Sequence, residues 1–362
     1  MFTSNHKKIF FSIFLFLLIQ SCKKDVEITS INPIKFPEEC EVFKIEEGCY
    51  GQMFIIDSFL IMTAFCSLEE DLKRIHVYNK ENLQLITKFG TTGLGPYEFP
   101  GSIKPLTTIQ HSNSISFYDP KIWHFKTINL DKYLLGDNIV NCIISTPMDP
   151  ILINKDYIKV LDKHQFIGRY NNPDLEGMFF IYDTLNKQMK WIDPVPEVRG
   201  VELRNKIYLH DGEFIANSSK NSILYATKFF DQVLFYDFKG NLLKQYVFSP
   251  LKKPLFDKRY LLPARGSFMY GISAFATSEY CFVVRWGIRS GSIEPDHPPI
   301  PTQLLVFNWD GLFIRAFDEF FGARFCYDEE FGIIYTFDSS KEENDPYITV
   351  RKYRIGDYLQ AN

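Results

Sequence analysis

Three features of the sequence predict an all-β fold, a six-bladed β-propeller with four-stranded blades and a ring closed by an N-terminal strand pairing with the C-terminal blade. First, a strand ending in Asn or Asp, a polar turn and a second strand recur, with strand ends at Asn79, Asn129, Asp183, Asp237 and Asn308, spaced by 50, 54, 54 and 71 residues. Second, two further β-like runs precede each such pair, which makes four strands to a unit. Third, no long amphipathic helix interrupts the series, and 35 Phe and 20 Tyr give the aromatic load of many half-buried strands. One four-stranded sheet cannot bury both faces, whereas sheets packed face to face around a channel can. A pair of stacked sheets is the competing arrangement.

The chain begins with a basic flank, Lys7 and Lys8, and an apolar core over residues 9–19, IFFSIFLFLLI. That core is short for a bilayer span and suits a secretory signal. The ending Leu18-Ile19-Gln20-Ser21-Cys22 resembles a bacterial lipobox, which implies lipidation of Cys22 as the first mature residue. A short membrane anchor, or an ordinary signal with an incidental cysteine, is the plainer alternative. The organisation expected is therefore a lipoprotein signal peptide over residues 1–21, a lipidated tether of limited order over 22–40 and the propeller over 41–362. Removing the signal leaves 38 basic against 44 acidic side chains, a net charge of −6. Lys23-Lys24-Asp25-Val26-Glu27 resembles the export signals of Bacteroidetes surface lipoproteins, and a solvated tether explains it equally well. The expected address is the cell envelope, an outer-membrane lipoprotein either periplasmic or surface-exposed, meeting the membrane through its lipid.

Each blade then follows in order. The strand–turn–strand pairs are Ile75–Asn79 with residues 83–89, residues 123–129 with 133–135, Phe179–Asp183 with Gln188–Ile192, residues 233–237 with 242–248, and residues 304–308 with 312–317. Asn and Asp suit the turns because their side chains bond nearby backbone and tolerate left-handed geometry. The last unit reaches its third strand near residues 348–353, and little chain remains. Glu41–Glu46, EVFKIE, alternates apolar and polar as an outer strand should, and is expected to pair beside that third strand. An independent edge strand ahead of the first unit is the other reading.

The most sharply written unit is the first. Phe89-Gly90-x-x-Gly93-x-Gly95-Pro96-x-Glu98-Phe99, followed by Pro100, resembles the NHL-type repeat signature. With the leader, the chain looks like the TolB-like six-bladed propeller lipoproteins of Bacteroidetes. That resemblance implies the fold and carries no catalytic residue with it.

Of 7 cysteines, Cys40, Cys49, Cys66, Cys142, Cys281 and Cys326 have no zinc-type spacing. They read as small buried hydrophobes, with Cys40–Cys49 the one pair worth testing for a disulfide. No metal or cofactor motif is present, and the absence of a basic stripe argues against nucleic acid.

In a four-stranded blade the links from second to third strand, and from fourth strand to next blade, emerge on one face. The long insertions, residues 67–73, 90–100, 131–150, 171–177, 193–205, 249–270, 287–302 and 338–346, are all assigned there, and long loops in a compact domain are usually functional. On that face Arg169, Tyr170, Arg285, Trp286 and Arg289 are the leading binding candidates, followed by Arg199, Arg204, Arg265 and Tyr97. Arginine forks suit carboxylate or phosphate, and aromatic platforms suit sugars or peptides. The plainer role for each arginine is an ion pair across neighbouring blades. Catalytic residues are not assigned. Asp57, Asp119, Asp183 and Asp237 fit turn chemistry, the histidines are scattered, and Asp296-His297 reads as a solvated proline loop. The expected function is a binding module for a peptide, glycan or partner protein. The alternative is an envelope hydrolase or lactonase-like enzyme at the channel mouth, where Arg169, Arg199 and Arg285 could imitate an arginine triad.

Overall fold

The computed structural model describes residues 28–46, 50–64, 73–95, 97–99, 104–106, 114–119, 122–153, 155–162, 164–169, 177–192, 208–250, 254–257, 262–263, 266–290, 302–322, 324–338 and 347–360. Residues 1–21, read above as a signal peptide, lie outside these residues, as do Cys22, Cys49, Cys66, Asp296 and His297.

Six antiparallel sheets of four blade strands each stand in a ring, a six-bladed β-propeller. Blade 1 runs Tyr50–Ile56, Phe59–Ala64, Ile75–Asn79 and Leu85–Phe89, from channel to rim. Blade 3 is Asp156–Val160, Gln165–Arg169, Phe179–Asp183 and Gln188–Ile192. Blade 4 is Gly212–Asn217, Ser222–Thr227, Gln232–Tyr236 and Leu242–Val247. Blade 5 is Phe268–Ala276, Tyr280–Arg289, Thr302–Asn308 and Phe313–Phe320.

Blade 6 confirms the closure. Phe325–Asp328, Ile333–Asp338 and Tyr347–Arg354 come from the C-terminal end, and Glu41–Glu46 supplies the outermost strand. Val42 pairs with Arg351 and Ile45 with Ile348. Lys352, almost buried, donates from Nζ to Glu41 Oε2 at 3.3 Å and to the Glu81 carbonyl of blade 1 at 2.7 Å. One ammonium thus ties the closing strand to the next blade, and burying it is tolerable because it is paired. At the same seam Lys80 of blade 1 meets Asp328 of blade 6 at 3.0 Å.

Apolar cores occupy the seams between blades. One holds Phe54, Val77, Ile115 and Phe117 from blades 1 and 2; another holds Leu60, Met62, Tyr335 and Val350 from blades 1 and 6. The other four seams have their own. Because every sheet buries both faces this way, the ring has no free end, as a two-layer stack would. Cys142, Cys281 and Cys326 are buried, as the packing reading expects, whereas Cys40 is a free thiol of intermediate exposure.

The strand-end Asn and Asp residues do the work assigned to them. Asn79 Oδ1 accepts from the Glu81 and Asn82 N–H groups at 2.9 and 3.2 Å, and Asp183 Oδ1 accepts from Leu185 and Asn186. Blade 2 departs from expectation. Its strands are Lys104–Pro105, Ser114–Asp119, His124–Asn129 and Ile143–Pro147, and residues 133–135 are not the outer strand. Helix α1, Leu130–Leu134, takes that place, capped by Asn129, whose side chain accepts from Lys132 N–H. Helix α2, Ile139–Cys142, follows. This insertion joins third to fourth strand, a link expected on the side of the short turns, yet its Tyr133 packs on Phe89 at the start of the glycine-rich loop.

The stretch ahead of the ring is also more fixed than a tether. Ile34–Lys35 adds a parallel strand to the outer edge of blade 5, and Phe36 is buried edge-on against Phe317, Phe320 and Tyr353. No helix among the described residues is long and apolar enough to cross a membrane.

Candidate functional site: a raised ribbon over blades 4 and 5

Most inner strands are five to seven residues long, but the first two of blade 5 have 9 and 10. The excess stands above the ring on the loop-rich side as a two-stranded ribbon, in which Phe268 pairs with Arg289 and Met269 with Ile288. The register shifts between Met269 and Gly271. Gly287 takes a left-handed φ of 77°, and a Cβ there would meet nothing within 4 Å. A register break of this kind bends a strand pair and increases its twist.

Phe268 is 42% exposed, stacks on Tyr270 at 6.1 Å between ring centroids, and carries the Arg289 guanidinium 5.2 Å from its centroid. Nearby, Lys228 lies over the Phe229 ring at 5.6 Å. The link containing Lys228 is joined to the ribbon by the Tyr270 N–H, which donates to the Lys228 carbonyl at 2.7 Å.

Beneath this surface the charges are engaged. Arg285 donates from Nε and Nη2 to the two Asp231 oxygens, both at 2.7 Å, and from Nη1 to Gln303. Asp231 is 3% exposed, and the planar fork matches its carboxylate in the bidentate manner arginine favours. One blade further round, Arg169, 1% exposed, donates to Asp211 Oδ1 and to the Gly212 carbonyl, each at 2.7 Å. The rings of Tyr157 and Tyr225 flank it at 5.7 and 5.8 Å. Burial works against the Arg169 charge, but Tyr225 and Asp211 outweigh it and raise its pKa. Lys228 Nζ, 3.6 Å from Asp211 Oδ2, carries the line of charges up to the ribbon. Burial pushes the carboxyl of Glu213, on the inner strand of blade 4, upward, while Lys159 opposes the shift.

The structure therefore separates the leading candidates. Arg169 and Arg285 make the cross-blade pairs described as their plainer role, and Trp286 is half-buried against the core between blades 5 and 6. Arg289 stays at the surface on the ribbon. Tyr97, 37% exposed, is on the glycine-rich loop of blade 1, apart from this cluster. Tyr170, Arg199, Arg204 and Arg265 lie outside the described residues. Sequence reading missed Asp231, Phe268 and Tyr270. One signal was there to find Asp231: it precedes Arg285 by 54 residues, a spacing already seen between blades.

The class defined by this architecture is the six-bladed β-propeller with a decorated face. The chain is similar to the crystal structure of a member of the DUF4221 family from Bacteroides vulgatus ATCC 8482, with a TM-score of 0.58, 14% identity, and 87% of this chain and 96% of that one covered. It is also similar to a provisionally named exported protein from Bacteroides fragilis NCTC 9343, with a TM-score of 0.52, 10% identity, and coverage of 90% and 99%. At such identities the likeness concerns the fold. No protein-family model and no curated protein matches the chain.

Proposed function

We propose that this protein is a lipid-anchored component of the cell envelope whose propeller is a binding module, taking a peptide, glycan or partner protein on its loop-rich face. The observation that carries this reading is the ribbon: an exposed phenyl ring and a surface guanidinium at the loop-side end of the two inner strands of blade 5. Aromatic and arginine side chains of this kind dominate the energy of recognition surfaces. The bidentate Arg285–Asp231 pair below holds the ribbon's base, so little ordering remains to be done on binding. The lipobox-like ending at Cys22 supports the anchor, and the fold shared with a protein provisionally named as exported supports the envelope address.

Cross-linking in native membranes, followed by identification of what is captured, tests it with wild type and a Phe268→Ala/Arg289→Ala variant side by side. Both side chains are exposed, so the variant should fold normally. Loss of the wild-type partner or glycan in the variant is the expected result. Identical capture by both proteins would remove the ribbon from the account.

A further inference from the structure

A recess distant from the ribbon lies where the glycine-rich loop of blade 1 faces the helical insertion of blade 2. Its volume is about 520 Å³, within the usual range for small-molecule sites. Lys73, Lys88, Tyr97 and Glu98 line one side, and Tyr133 of α1 and Ile139 of α2 line the other.

The loop wall is held in place from within and from behind. Gly90 takes a left-handed φ of 82°, and a Cβ there would come within 2.8 Å of the Phe99 ring. The Glu98 carboxylate folds back to accept from Gly95 N–H at 2.8 Å, and a Cβ at Gly93 would lie 2.0 Å from one of its oxygens. Behind the loop the buried Lys126 of blade 2 donates to the Glu98 carbonyl and stands 4.8 Å from the Phe99 ring centroid. On the helical side Tyr133 packs edge-on to Phe89 at 4.7 Å, with its hydroxyl 3.4 Å from Thr87 Oγ1. The glycines that form the loop signature thus shape a rigid wall as well as a turn.

Among the described lining residues two carry ammonium groups, Lys73 and Lys88, and one a carboxylate, Glu98. Compact, mobile ammonium groups suit a point of negative charge, and tyrosine rings with hydroxyl tips suit a sugar ring with its hydroxyls. We propose that this cleft binds a small anionic sugar, the anionic group being a carboxylate or a phosphate placed between Lys73 and Lys88. This site is independent of the ribbon, and either can fail without the other.

Isothermal titration of the whole lipidated protein in detergent micelles, with glucuronate, glucose 6-phosphate and neutral glucose as probes, tests it. Saturable binding of glucuronate or glucose 6-phosphate is expected, with glucose about tenfold weaker or more, the size of one charge-assisted hydrogen bond. Whichever anion is preferred tells carboxylate from phosphate. A Lys73→Gln/Lys88→Gln variant should lose about tenfold or more in affinity for the charged probe and lose its salt dependence. Ile139→Trp, which fills the cleft from the helix side, should block binding with the lysines intact. Equal binding of glucose, unchanged binding in either variant, or no binding of any probe would overturn the proposal.

Discussion

Blade 4 follows its strand-end Asp237 with Phe238-Lys239-Gly240-Asn241, and blade 2 follows Asn129 with Leu130-Asp131-Lys132-Tyr133. In both, the side chain accepts backbone N–H groups just ahead: Lys239 and Asn241 in blade 4, Lys132 in blade 2. What differs is the next left-handed residue. In blade 4 it is Gly240, φ 88°, and the chain reverses at once into Leu242–Val247. Blades 1, 3 and 5 reverse similarly at Leu83, Lys187 and Gly311. Blade 2 offers no such residue before Gly136, φ 98°, so the chain winds one helical segment instead. Gly136 and Asp137 then donate to the Tyr133 and Lys132 carbonyls, the two bonds of a Schellman cap. An accepting side chain starts a turn or a helix equally well; the position of the first left-handed residue decides which. The regular choice makes a fully packed blade. The helical one pushes the outer strand to Ile143–Pro147 and opens the cleft.

Three experiments would break or sharpen this contrast. Blade 4 is bolted to blade 5 by Asp231, so Asp231→Ala should strand the Arg285 charge in the seam and cost about 3 kcal/mol, read as a lowered urea midpoint. A loss close to zero would mean that the pair contributes nothing net. Next come the two glycines. A Cβ at Gly240 would lie 2.7 Å from Ile192 Cγ2 of blade 3, whereas at Gly136 nothing lies within 4 Å. Gly240→Ala should therefore cost about 2–3 kcal/mol and Gly136→Ala about 1 kcal/mol, strain plus collision against strain alone. Equal costs would show that blade 4 gains nothing from packing its turn on the neighbouring sheet.

The smallest effect concerns the seam from blade 2 to blade 3, where the Tyr182 hydroxyl donates to Asp149 Oδ2 at 2.6 Å. That hydroxyl and the Ile151 N–H hold the Asp149 carboxyl below its ordinary range, against the opposing pull of desolvation. A carboxyl depressed in the folded state adds stability above its unfolded pKa and loses it as pH falls through the folded value, here in acid below about pH 4. Tyr182→Phe should flatten that acid-side loss in urea midpoints measured from neutral to acid pH. An unchanged acid limb would show that the bond does not set the titration.

Strand pattern, strand-end Asn and Asp, and the alternation of Glu41–Glu46 were enough to read six blades and the closing pair, because each is local or repeats along the chain. The glycine signature likewise marked the loop that walls the cleft. The fate of the arginines was not local. In the sequence Arg169 and Arg285 both read as the loop-side end of a second strand and are followed by an aromatic residue, as a surface platform would be. Their carboxylate partners are 42 residues on, at the following blade, and 54 residues back, at the preceding one. Only the packing of one sheet on another brings those carboxylates within hydrogen-bond reach, and a buried guanidinium must be met by such a partner. The same holds for Phe36, whose place against Phe317 and Tyr353 depends on the outer edge of blade 5 being there to receive it.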